Sequence, residues 1–100
     1  MTRLGDIVEK VRSKNAGPFW MTVDIFCGTP AAFARVTDLP TQHVASLFQT
    51  DPALIRRFDI ADLNVVKFSF PRPQVQGSIH DRDMHGAALG ALLAELELNP

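Results

Sequence analysis

Residues 19–26, Phe-Trp-Met-Thr-Val-Asp-Ile-Phe, alternate with a period of two, and this run narrows the fold more than any other. It places Phe19, Met21, Val23 and Ile25 on one side and Trp20, Thr22, Asp24 and Phe26 on the other, the pattern of a strand. Both sides carry apolar side chains, which suits a central position in a sheet. Val65–Phe70 repeats the pattern, with Val66, Phe68 and Phe70 opposed to Val65, Lys67 and Ser69. Leu54–Ile60, which contains the arginine pair Arg56 and Arg57, reads as its hairpin partner across the short link Asp62-Leu63-Asn64.

The intervening segments read as helices. Leu4, Ile7, Val8 and Val11 fall at i, i+3, i+4 and i+7, predicting a short amphipathic helix that Asn15 and Gly17 stop and Pro18 bars from continuing. A strand through Ile7–Val11 fits the same residues. Thr29 before Pro30 is an N-cap followed by proline in the first helical position, opening a helix over Ala31–Val36. Pro40-Thr41 opens a second, with Val44, Leu47 and Phe48 on its buried side, and Asp51-Pro52 breaks it.

Pro71-Arg72-Pro73 ends the last strand, because neither proline can donate to a ladder. A polar loop over Gln74–Arg82 leads to a final helix, with Asp81 and Asp83 at its start and Leu89, Leu92, Leu93 and Leu96 as its stripe. Gly86, Ala87, Gly90 and Ala91 keep its other flank thin enough for another backbone to approach. The order helix, strand, helix pair, strand, strand, helix predicts an α+β two-layer sandwich. Its sheet is small and mostly antiparallel with helices on one face, a ferredoxin-like variant short of one strand. So few strands leave an edge open to a partner.

A chain of 100 residues, 46 % apolar and 21 % charged, is expected to form one globular domain over 1–100. A net charge of −1 gives no global field for nucleic acid or an anionic membrane, so anion binding has to be local. One cysteine, Cys27, excludes an internal disulfide and a cysteine-built metal site. The first residues lack a signal-peptide core and no apolar run is long enough to span a bilayer, so a cytoplasmic location is the expectation.

Arg12, Ser13, Lys14 and Asn15, followed by Gly17, form the first candidate site. An arginine fork, a lysine point charge, a hydroxyl and backbone N–H groups near a glycine can grip a carboxylate or phosphate. The same residues also suit a helix C-terminus whose cations complement the dipole. Arg72, stiffened between two prolines, and Ser78 after Gly77 form the second candidate, for which a strand terminator with a solvated arginine is the plainer reading. His80, Asp81, Asp83 and His85 suggest a metal, but histidines at i, i+5 do not share a helical face, so no metal is expected. Cys27 reads as a small buried hydrophobe, Ser13 and Ser78 have no evident histidine partner, and His43 has an ordinary helical setting. No catalytic residue and no cofactor site emerges.

Arg12-Ser13-Lys14-Asn15-Ala16-Gly17-Pro18-Phe19, followed by Thr22-x-Asp24-Ile25, resembles the family known as domain of unknown function 4387. Pro71-Arg72-Pro73, Gly77-Ser78, Asp81-x-Asp83 and Gly86-Ala87 resemble a second signature of that family, so the likeness spans nearly the whole chain. More distantly, it is similar to the small C-terminal ferredoxin-like domain of AtuA-type acyclic terpene utilisation proteins, through Val11–Gly17 and Asp83–Gly86. The resemblance implies a small accessory subunit beside an AtuA-type large protein in the catabolism of branched or unsaturated carboxylic acids or their thioesters. An independent hydro-lyase acting as a homo-oligomer and a structural homodimer without a ligand are the alternatives. The chain departs from the family at Ala87-Ala88-Leu89-Gly90, where relatives are glutamine-rich.

Overall fold

The computed structural model describes residues 2–17, 19–71, 90 and 93–98. After β1 (Thr2–Arg3), the first helix, α1, lasts one turn, Leu4–Ile7, and Val8 is already extended at φ −98° and ψ 162°. Lys10–Asn15 is a strand, β2, which pairs antiparallel with β3 (Trp20–Phe26) from Lys10↔Phe26 to Asn15↔Met21. The expected helix through Val11, and with it the reading of Arg12–Asn15 as a helix C-terminus, is therefore corrected. Periodicity identified the inward residues: Leu4 and Val8 are in the core, and Ile7 and Val11 pack against it. An isolated short helix is marginal, whereas a continuous ladder against a central strand supplies a partner for each alternate backbone group.

This strand adds a fourth to the three that alternation predicts. β2, β3, β5 (Val65–Pro71) and β4 (Arg56–Ile60) lie side by side in that order, with every neighbouring pair antiparallel. Pro52–Leu54 forms a short 3₁₀ turn, capped by Asp51 Oδ1 accepting from the Ala53 N–H at 2.9 Å, so β4 begins at Arg56 rather than Leu54. A separate two-stranded pair joins β1 to β6 (Glu97–Leu98). The result is an α+β fold consistent with a two-layer sandwich.

The helix pair follows the sequence closely, as α2 (Pro30–Thr37) and α3 (Thr41–Phe48). Thr29 Oγ1 accepts from the Ala32 N–H at 3.1 Å, the N-cap its position before Pro30 predicts. Replacing Thr29 with alanine is expected to cost about 1 kcal/mol, measured by chemical denaturation. Met21, Val23, Ile25, Val66, Phe68 and Phe70 turn to the helices, where they meet Leu4, Val36, Val44 and Phe48. The Phe48 and Phe70 rings stack with centroids 5.2 Å apart. Leu93 is fully buried in the same core and Leu96 packs against it, in keeping with a C-terminal apolar stripe. The start of the expected last helix lies outside the described residues. No described helix is long and apolar enough to cross a membrane.

A cationic sheet face as candidate functional site

Strand alternation divides the first signature between two surfaces. Lys10, Arg12 and Lys14 point away from the helices, while Val11, Ser13 and Asn15 share the core side with Met21, Val23 and Ile25. Across the sheet, the register sets Lys14 beside Thr22, Ser69 and Arg56, and Arg12 beside Asp24, Lys67 and Phe58. Lys10 begins the next row, with Phe26, Val65 and Ile60. Among the described residues, Lys10, Arg12, Lys14, Arg56 and Lys67 thus share a face with a single strand carboxylate, Asp24. The core residues of the described helices all pack on the opposite face.

Two of these cations lie over aromatic rings rather than extending straight into solvent. Lys10 Nζ is 4.9 Å from the centroid of Phe26, and the Arg56 guanidinium carbon is 5.4 Å from that of Trp20. Each ring attracts a cation through its quadrupole and holds the charge above the sheet. Between them, Thr22 is only 6 % exposed, and neither Thr22 Oγ1 nor Asp24 Oδ1, both buried, has a hydrogen-bond partner among the described residues. Leaving a buried polar atom unsatisfied costs about 1–3 kcal/mol, so each of these oxygens calls for a partner that the described residues do not supply.

Ser13 serves the other side: its Oγ accepts from the Gly90 N–H at 2.8 Å. A Cβ at residue 90 would come within 2.8 Å of Ser13 N and 2.9 Å of Ser13 Oγ. The thin flank anticipated at Gly90 is thus where the chain meets the β2 backbone. Gly17 occupies the turn between β2 and β3 with φ +87°, a conformation that favours glycine, and the Ala16 N–H donates to the Trp20 carbonyl at 2.8 Å. Arg12 and Lys14 therefore come together on one face, Ser13 and Asn15 on the other, and Gly17 in the turn. Arg72, Ser78 and the His80–His85 cluster lie outside the described residues.

Sequence reasoning missed Lys10, Arg56, Lys67, Thr22 and Asp24 as members of this face. The signal was present in the alternation itself: Thr22 and Asp24 are polar positions on the outer side of a central strand. Finding it required knowing that Lys10–Asn15 was a strand, since only then do Lys10, Arg12 and Lys14 align.

Arg57 is a second residue whose role the sequence concealed. It faces the core side, with its guanidinium carbon 5.5 Å from the Phe68 ring centroid. Its Nη2 donates to the Thr37 carbonyl at 3.0 Å, its Nη1 to the Leu39 carbonyl and Thr41 Oγ1, and its Nε to Asp59 Oδ1 at 2.9 Å. One side chain thus ties the α2–α3 junction to an edge strand.

Cys27 is buried, and its Sγ lies 3.8 Å from the Ile25 carbonyl. Burial pushes the Cys27 thiol pKa up. The folded thiol therefore holds its proton more tightly than the unfolded one. Its contribution to stability is complete below the unfolded thiol's titration range and is lost as pH rises through the folded pKa. Alkylation by iodoacetamide is expected to be slow in the native protein and fast after denaturation; rapid native labelling would contradict this environment.

An antiparallel four-stranded α+β domain with a cationic sheet face turned from its described helices is the class these features define. The chain belongs to the family domain of unknown function 4387, which it matches over residues 4–97. Comparison with curated proteins and with solved structures gives no match.

Proposed function

We propose that this protein is a small accessory subunit that uses the cationic sheet face to hold an anionic ligand against an AtuA-type large protein. The ligand is a branched or unsaturated carboxylic acid or its thioester. The observation that carries this reading is the set of five cations around two buried, unpartnered oxygens, Thr22 Oγ1 and Asp24 Oδ1. A protein of net charge −1 that gathers half of its ten lysines and arginines onto one sheet face has concentrated a local field. The distant likeness to a domain attached to AtuA-type proteins supplies the partner class.

Co-expression with an AtuA-type large protein from the same genome tests the pairing. The reading expects the two to elute together and the complex to turn over an acid or acyl thioester faster than the large protein does alone. Separate elution, with a large protein fully active by itself, would overturn it.

A further inference from the structure

The two orphaned oxygens differ in what they need. Asp24 Oδ1, as a carboxylate oxygen, accepts hydrogen bonds, whereas the Thr22 hydroxyl can donate one. Their side chains are two residues apart on one strand, so the two buried oxygens lie on the same side of the sheet. Arg12 neighbours Asp24 across the ladder and Lys14 neighbours Thr22, at a cross-strand spacing of roughly 5 Å. A ligand that satisfies every group must therefore bring a donor to Asp24 and anionic oxygen to Thr22, Arg12 and Lys14.

A simple carboxylate or phosphate dianion leaves Asp24 unsatisfied and adds like charge beside it. An amine satisfies Asp24 but meets five cations. A hydroxyl one or two carbons from a carboxylate supplies both functions across the roughly 7 Å between alternate residues of a strand. Resting on the anion-binding reading above, we propose that the face binds a small hydroxycarboxylate. Its carboxylate is held by Arg12, Lys14 and the Thr22 hydroxyl, and its own hydroxyl donates to Asp24 Oδ1. Ordered water would satisfy the same two oxygens without preferring any acid, and the test separates the two cases.

The experiment titrates the isotope-labelled full chain with 3-hydroxybutyrate and, separately, with butyrate, following backbone amide shifts. The expected result is binding at least about tenfold tighter for the hydroxy acid, the effect of one hydrogen bond to a charged group. Shifts should concentrate at Arg12–Lys14 and Thr22–Asp24. Asp24→Val should abolish the preference while keeping butyrate binding, and Thr22→Val should weaken both acids. If Asp24→Val fails to fold, Asp24→Asn serves, with a reduced preference expected. Equal binding of the two acids would overturn the hydroxyl assignment and leave the anion-binding face standing. Absence of shifts on this face with either acid would overturn both.

Discussion

Replacing Arg57 with alanine is expected to destabilise the protein by about 2–4 kcal/mol, because several charge-assisted hydrogen bonds are lost together and their acceptors are stranded. The side chain is 17 % exposed and reaches Thr37 O, Leu39 O, Thr41 Oγ1 and Asp59. Truncation leaves the carbonyls at the end of α2 without their partner, and it removes a cation from a helix C-terminus, where the dipole favours one. In a domain of this size each kcal/mol moves the melting temperature by about 4–8 °C. A fall of about 10 °C or more is therefore the expected reading in a thermal melt. Arg57→Lys should recover part of it, since a point charge cannot place donors on several acceptors at once. Arg56→Ala is the control: its exposed side chain contacts the Trp20 ring, so its loss should cost under about 1 kcal/mol. Comparable losses from the two arginines would contradict the assignment.

Substitution of Gly90 by valine is the second large effect. Even a single Cβ would lie 2.8 Å from Ser13 N and 3.2 Å from the Arg12 carbonyl carbon, both backbone atoms of β2. Neither can move without disturbing the register that aligns Arg12 with Asp24. Overpacking of this kind costs about 1–3 kcal/mol, and Gly90→Val should fall at the upper end, with Gly90→Ala lower. The Ser13 hydroxyl offers a diagnostic. Ser13→Ala removes the acceptor of the Gly90 N–H, so it should destabilise the wild type more than it destabilises Gly90→Val, in which that contact is already strained. Full additivity in chemical denaturation would show that the two residues do not meet.

The contrast between Arg56 and Arg57 shows where the sequence was legible and where it was not. Adjacent residues on a strand point to opposite faces, so one arginine joins the cationic surface and its neighbour clamps a helix junction. Nothing local distinguishes them. The central strands, the Thr29-Pro30 cap and the α2–α3 pair were legible because alternation, capping chemistry and proline all agreed at those places. Residues 4–15 were not, because their apolar spacing suits a helix while their partner is a strand reached through a turn. The inward positions Ser13 and Asn15 are polar, which hides the period of two, and Ser13 is satisfied by Gly90, which is distant in sequence. Taken as a helix end, Arg12, Ser13 and Lys14 stay together. The ladder separates them and recruits Lys67 and Arg56 from strands the motif never mentioned.

Complex formation decides whether the sheet face turned from the described helices is the working surface. Wild type, Arg12→Gln/Lys14→Gln and a control with two cations removed elsewhere, Arg3→Gln/Arg35→Gln, would each be titrated against the AtuA-type large protein in the presence of the acid. If the face is where ligand and partner meet, the first pair should weaken association by about tenfold or more, while the control binds as the wild type does. Undiminished association of Arg12→Gln/Lys14→Gln would contradict the account.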